Sequence, residues 1–381
     1  MEKIKIYLLR TILKIFWVIP LKEKIFFSSY EGKQFSCNPR IIYQRMREKE
    51  EFNKKYIFIY EYNSDNVPED LKNNRTKIVK HNSLNYIYHI MTSKYIITNS
   101  GLSCCFPLRS SQVNLNTWHG GGAYKKIGFA TSRDVHGGDL TGILIGTKQT
   151  DYFISSSEVF TDIIIRSLKM DKEKILKVGM PRNDIFFSKN DIEIINRKVR
   201  TYLKLDDELV ILYAPTYRGT AGNNQFNEFP FNVSKIQSEF SKKFKKPVKF
   251  LYRGHYYGGK KVFDDDVIDV CNYYDMQELL IATDVLITDY SSSIWDFGLS
   301  KRPCFLVADD LKEYDDFRGF ESPIDEWPGI LCTTEEELID NIISYNEEKY
   351  VEKLNNYYKK MKSYENGGAT DKVLDVLFSN K

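Results

Sequence analysis

Long apolar runs are missing from this chain. The most apolar stretch, residues 4–19, is interrupted by Lys5, Arg10 and Lys14, and its longest uncharged run, 15–21, falls far short of the roughly 20 residues that span a bilayer. No small-residue cleavage site follows, so no secretory signal is expected. Cysteine is sparse and scattered: Cys37, Cys104, Cys105, Cys271, Cys304 and Cys332 show no C-x-x-C spacing, which argues against a zinc ribbon or redox pair and for reduced, mostly buried thiols. The histidines, His81, His89, His119, His136 and His255, form no H-E-x-x-H or related pair, so no structural metal is expected. With 11 Pro and 21 Gly in 381 residues, collagen-like and largely disordered chains are excluded. The charge balance, 55 Lys and Arg against 52 Asp and Glu, leaves no overall basic field, and no nucleic-acid partner is expected. G-x-x-x-x-G-K-[ST] is absent and no G-x-G-x-x-G lies between a strand and a helix, which removes the support for nucleotide hydrolysis of that type and for hydride transfer.

What the chain does have is aromatic surface, 26 Tyr and 24 Phe, and a regular β/α rhythm. Short β-rich runs at 24–29, 56–62, 77–81, 95–100, 113–118 and 152–157 leave room for helices between them. A second set follows at 210–215, 248–253, 267–273, 285–289 and 304–308. Alternation on this scale predicts parallel, doubly wound sheets, and the solidly apolar runs predict central strands covered on both faces. The polar stretch 188–204 reads as a helix that closes the first half, and 335–380 is helical in composition. The expected organisation is a helix over 1–22, one α/β domain over 23–185 and a second over 186–381.

In the N-terminal segment, Lys3, Arg10 and Lys14 share one face of a helical wheel while Ile4, Leu8, Ile12, Ile15 and Ile19 line another. That pattern fits a basic amphipathic helix lying on an anionic bilayer, and equally a helix packed on its own domain. The lysines at 242, 243, 245, 246 and 249 read as a solvated helix end, and Asp264-Asp265-Asp266 as a charged loop, since it precedes an apolar run instead of following one.

Ligands of open α/β sheets sit at the carboxyl ends of strands, and four strand ends carry unusual residues. In Trp118-His119-Gly120-Gly121-Gly122-Ala123-Tyr124-Lys125-Lys126 an imidazole precedes backbone that can approach a phosphate closely, followed by two cations. Pro215-Thr216-Tyr217-Arg218-Gly219 and Arg253-Gly254-His255 place charge-assisted donors just past apolar strands. Thr288-Asp289-Tyr290-Ser291-Ser292-Ser293-Ile294-Trp295-Asp296 reads as strand, hydroxyl-rich turn and helix start, a seat for an anion or an ordinary serine cap.

Together with Gly179-Met180-Pro181-Arg182-Asn183-Asp184, and with Asp310-Leu311-Lys312-Glu313-Tyr314 followed by Arg318-Gly319-Phe320, these strand ends resemble the CDP-glycerol glycerophosphotransferase family of teichoic acid and capsule synthesis. The resemblance spans about residues 24–345. It implies a GT-B fold of two Rossmann-like domains facing a central cleft, and transfer of an alditol phosphate from a CDP-alditol to a hydroxyl of a lipid-linked or polymeric acceptor, with release of CMP. Glycerol phosphate is the favoured group; ribitol phosphate is the alternative, and a UDP- or GDP-sugar glycosyltransferase a more distant one. In this reading His119 is the general base, and His255 with Arg253 stabilises the diphosphate and the departing CMP. Gly120, Arg182, Pro215, Thr216, Arg218, Ser291, Ser292 and Asp296 contribute to substrate binding. No cofactor is implied, and a cytoplasmic enzyme on the inner face of the membrane is expected. The chain departs from the family's W-H-G-T-P-L-K-K at Gly121, Gly122, Ala123 and Tyr124, although the histidine and both lysines remain.

Overall fold

The computed structural model describes residues 2–122, 124–131, 140–216, 229–254 and 267–378. The chain divides into two compact units. The first comprises Met1–His119, Ile127–Asp184 and Ser363–Lys381, and the second Gly120–Lys126 and Ile185–Lys362.

The first unit is built on seven parallel strands: β1 (Lys22–Ser28), β2 (Ile57–Glu61), β3 (Thr76–Val79), β4 (Ser93–Thr98), β5 (Val113–Asn116), β6 (Tyr152–Ser155) and β7 (Ile175–Lys177), in the order β3-β2-β1-β4-β5-β6-β7. The second has six: β8 (Leu209–Tyr213), β9 (Val248–Tyr252), β10 (Val267–Asp269), β11 (Val285–Thr288), β12 (Cys304–Val307) and β13 (Ile330–Cys332), in the order β10-β9-β8-β11-β12-β13. All registers are parallel, as the buried apolar runs require: β8, β11 and β12 are buried along their whole length. In both sheets the strand order reverses beside the first strand, between β1 and β4 and between β8 and β11. Such a reversal opens a crevice outside the carboxyl ends, where ligands of this fold class bind. The edge strands β7 and β13, three residues each, escape prediction, whereas the equally short edge strand β10 begins an apolar run, Val267–Val270, and is predicted with it.

One core cluster of the first unit gathers Phe26, Ile59, Tyr86, Ile90, Met91, Ile96 and Phe106 together with Leu13. The second unit's cluster is centred on Ile211, Phe240, Phe250, Ile287, Phe305 and Leu338.

From sequence, 186–381 forms one domain, but Ser363–Lys381 belongs with the first unit. The reason is polar anchoring by the Gly179–Asp184 motif. Asp184 accepts from the Ala369 and Thr370 backbone N–H groups (2.9 and 2.8 Å) and so caps the last helix, Ala369–Phe378. Glu365 accepts from the Met180 N–H and from Asn183 Nδ2, both at 3.1 Å. Residues 120–126, expected in the first domain, are counted with the second unit.

The N-terminal helix runs over Glu2–Leu13 and continues as a 3-10 turn, Lys14–Val18. Arg10 points into the first unit, donating to the Phe106 carbonyl (2.9 Å) and to Gln149 Oε1 (3.1 Å), and Trp17 Nε1 donates to the Pro107 carbonyl (2.9 Å). Ile4, Leu8, Ile12, Ile15 and Val18 remain exposed.

Candidate active site

In the first unit the site forms at the carboxyl ends of β1, β4 and β5. After β5 the chain turns through Trp118, whose φ of +54° is left-handed and costs a non-glycine residue on the order of 1–2 kcal/mol. His119 follows, partly exposed, with its Nδ1 2.8 Å from the Asn99 carbonyl oxygen. A carbonyl can only accept, so Nδ1 carries a proton, and in the neutral ring the lone pair is therefore on Nε2. Trp118 lies against one side of the imidazole (4.9 Å, 26°) and Tyr30 meets it edge-on (5.7 Å, 62°). Arg182, expected among the substrate ligands, is buried here; its Nη1 donates to the His119 carbonyl (2.7 Å) and lies 3.1 Å from Cys37 Sγ. Across the strand-order reversal, the Tyr30 N–H donates to Asn99 Oδ1 at 2.8 Å.

The second unit repeats that arrangement with a stronger acceptor. Pro215 and Thr216 follow β8, and Asp289 follows β11. The Thr216 N–H lies 2.8 and 3.0 Å from the two Asp289 carboxylate oxygens, and the Thr216 hydroxyl donates to the same group. The Tyr290 N–H donates to Asp289 at 2.6 Å. Ser291 Oγ accepts from the Ser293 N–H (3.2 Å) and pairs with the Ser293 hydroxyl (2.9 Å), while Ser292, the residue before the helix Ser293–Gly298, makes no side-chain cap. Asp296 is buried and accepts from Gln277 Nε2 at 3.1 Å. Arg253 Nη1 donates to the Tyr273 and Val270 carbonyls (2.7 and 3.2 Å). Arg218 and His255 lie outside the described residues, as do Asp264, Asp265 and Asp266.

Residues 120–126 are fastened within the second unit. Lys125 bridges to Phe320, the Lys126 N–H donates to the Gly319 carbonyl (3.0 Å), and the Glu321 N–H donates to the Tyr124 carbonyl (2.8 Å). Gly120 is buried. Gly121 and Gly122 lie against Trp295: a Cβ on Gly121 would fall 2.1 Å from its Cδ1, and Gly122 has a φ of +68°. The glycines that depart from the family pattern thus make room for an indole. Lys125 Nζ reaches the Tyr314 hydroxyl (3.3 Å), and Tyr314 stacks on Tyr290 (4.0 Å, 20°), whose hydroxyl donates to Asp310 (2.8 Å). The two distant sequence motifs, Ser291–Asp296 and Asp310–Phe320, are thereby joined in space.

Sequence reasoning singled out His119, Thr216 and the serine turn. Asn38, Asn99, Gln277 and Asp289 carry the supporting hydrogen bonds and were not singled out for a role. Only Asp289 gave a usable signal, a carboxylate directly after an apolar strand.

Among the described residues no group of three or more His, Cys, Asp or Glu side chains converges as a metal site. A family model described as CDP-glycerol:poly(glycerophosphate) glycerophosphotransferase matches residues 11–379. The teichoic acid poly(glycerol phosphate) polymerase of Bacillus spizizenii is 31% identical, over 96% of this chain and 95% of that protein. The teichoic acid glycerol-phosphate transferase of Staphylococcus aureus is also 31% identical, over 97% and 96%. The solved structure of the wall teichoic acid polymerase TagF superimposes with a TM-score of 0.82 at 26% identity, covering 100% of this chain and 95% of that one.

Proposed function

Because the chain belongs to the CDP-glycerol:poly(glycerophosphate) glycerophosphotransferase family, we propose a residue-level account of how it transfers glycerol phosphate from CDP-glycerol in teichoic acid synthesis. The observation that carries the account is the His119 Nδ1 to Asn99 carbonyl bond, which leaves Nε2 as a base. An acceptor hydroxyl attacks the glycerol-bearing phosphorus, its proton passes to Nε2, the phosphoanhydride bond breaks, and CMP leaves with the bonding electrons. Phosphoryl transfer is chiefly positioning and charge stabilisation, so fixed donors matter as much as the base. Thr216, Ser291 and Ser292, held at the second strand-order reversal, are the donor-side groups; Pro215 shapes the backbone there, Gly120 lets the backbone after His119 approach a phosphate closely, and Asp296 orients the serine turn. Arg253, together with Arg218 and His255, supplies the positive charge that the diphosphate requires. Arg182 serves through His119, whose carbonyl it holds.

The acceptor is the lipid-linked or polymeric end of a teichoic acid, with a capsule polymer as its chemical equivalent. The enzyme works at the inner face of the membrane, which its exposed N-terminal apolar residues contact. Among the described residues no helix is long and apolar enough to cross a membrane.

The test is parallel calorimetric titration with CDP-glycerol, CDP-ribitol and UDP-glucose, with EDTA present. Selective binding of CDP-glycerol is expected. Preference for CDP-ribitol would reassign the alditol, and binding of UDP-glucose alone would replace the reaction by sugar transfer.

A further inference from the structure

We propose that Asn38 is a positioning residue for the transfer, acting through His119 by holding the backbone from which the imidazole projects. The inference rests on the reading of His119 as the base. Asn38 is the second residue of the helix Cys37–Glu48 and has no exposed surface. Its Nδ2 donates to the carbonyls of Thr117 (3.1 Å) and Trp118 (3.0 Å), and its Oδ1 accepts from the Arg182 N–H (3.0 Å). A flipped amide would turn its oxygen toward two carbonyl oxygens, so the network fixes its orientation.

These bonds fall where the local chain is least self-supporting. β5 ends at Asn116, and Trp118 holds a left-handed φ that a bulky aromatic keeps only when its surroundings impose it. The surroundings here are few and specific. Asn116 Oδ1 accepts from the Trp118 N–H (2.9 Å), Asn38 takes the carbonyls of 117 and 118, and Arg182 takes that of His119. Three consecutive carbonyls are therefore gripped by the side chains of two residues that are themselves linked by the bond from the Arg182 backbone N–H to Asn38 Oδ1. Without Asn38, the Trp118 carbonyl keeps the Thr117 hydroxyl at 3.2 Å, and the turn can relax toward negative φ. Relaxation at 118 swings residue 119, which breaks the 2.8 Å bond to Asn99 that sets the tautomer. Alanine removes the three bonds of the Asn38 amide to residues 117, 118 and 182 together with a weak contact from Nδ2 to Met180 Sδ (3.6 Å). Aspartate keeps the shape and the acceptor for Arg182 but turns both donors into repulsion.

The experiment compares N38A, N38D, H119A and the double variant N38A/H119A, measuring kcat across pH, KM, and calorimetric Kd for CDP-glycerol. We expect N38A and N38D to lower kcat about 10- to 100-fold while Kd stays within about twofold, with the acidic limb of the kcat profile displaced. H119A alone should lose about 10²–10⁴-fold, and adding N38A to it should cost less than about twofold more, because the residue it acts through is gone. Wild-type kcat in folded N38A or N38D overturns the proposal, and so does a loss that multiplies with that of H119A or leaves the pH profile unmoved, the mark of a merely structural role. If N38A fails to fold, N38D decides. Near-normal turnover in H119A would instead remove the base assignment on which the proposal stands.

Discussion

The Thr216 N–H and the Asp289 carboxylate, 2.8 Å apart, tie the loop after β8 to the loop after β11. Asp289 is almost wholly buried and accepts a second backbone donor from Tyr290, so oriented N–H groups stabilise its carboxylate. Asp289→Ala strands both donors, at about 1–3 kcal/mol each if they stay buried, and releases the loop that carries Thr216. The expected outcome is a folded but less stable protein with at least tenfold weaker CDP-glycerol binding by calorimetry; Asp289→Asn, which keeps one acceptor, should fall between. Unchanged affinity in a folded D289A protein would separate this pair from donor binding.

Gly121→Ala makes a second prediction. Its Cβ would lie 2.1 Å from Trp295 Cδ1, and Trp295 is fully buried with its ring 4.9 Å from Tyr358, so the indole has no free direction of retreat. Overpacking of this kind costs about 1–3 kcal/mol. Thermal denaturation should show the loss, and Trp295→Phe should recover part of it in the G121A background because the two sites share one space. Since Gly121 lies two residues after His119, turnover should fall more than CDP-glycerol affinity does. Additive losses in the double variant would refute the shared-space explanation.

How much of this was legible in the sequence depends on the range of the interaction. Val285 to Thr288 and Leu209 to Tyr213 announce buried parallel strands by composition alone, and strand-end logic then points to His119, Thr216 and Ser291. Asn38 and Asn99 announce nothing: a buried asparagine is defined by partners 79 and 69 residues away, which no local pattern encodes. Arg182 and Arg253 stand out as arginines beside motifs, yet each guanidinium also holds a protein carbonyl, that of His119 or of Tyr273, a contact that only tertiary structure reveals. Asp184 looks like part of a ligand motif and instead caps the final helix, which is why the tail returns to the first unit.

Stability should rise with pH in two windows set by one buried pair. Lys24 Nζ lies 3.0 Å from His89 Nδ1 and over the Tyr88 ring at 4.6 Å. Burial, reinforced by Lys22 and Lys77, pushes Lys24 from 10.5 down to about 7. Burial and then Lys24, Lys77 and Lys22 push His89 from 6.5 down to about 4. Between pH 7 and 10.5 the unfolded chain holds a proton on Lys24 that the folded chain has released, so folding gains as pH rises; His89 acts in the same sense between pH 4 and 6.5. Lys24→Met should therefore stabilise the protein by about 1–2 kcal/mol at pH 6, with the advantage gone near pH 10.5. Chemical denaturation of both proteins across pH checks this, and a constant difference would show that Lys24 does not titrate in that window.

The N-terminal helix yields the last prediction. Arg10 and Trp17 are tied to the first unit and Leu13 is buried in its core, whereas Ile4, Leu8, Ile15 and Val18 are 74, 61, 69 and 83% exposed. The apolar stripe thus faces outward while the helix's one arginine, Arg10, faces inward, the reverse of a helix folded onto its own domain for apolar burial. Lys3, Lys5 and Lys14 are exposed beside the stripe, the composition that favours an anionic bilayer. Deleting residues 1–20 would strip Leu13 and Trp17 from their sites and confuse anchoring with stability, so the cleaner variant is I4E/L8E/I15E. It should fold normally and keep solution turnover of a soluble acceptor, yet lose co-sedimentation with phosphatidylglycerol vesicles by about tenfold or more, since each substitution removes roughly 1.5–3 kcal/mol of apolar burial. Wild-type protein should bind these vesicles far better than phosphatidylcholine ones, and less well as salt rises. Full retention of the triple variant on anionic vesicles would move the membrane contact to another surface.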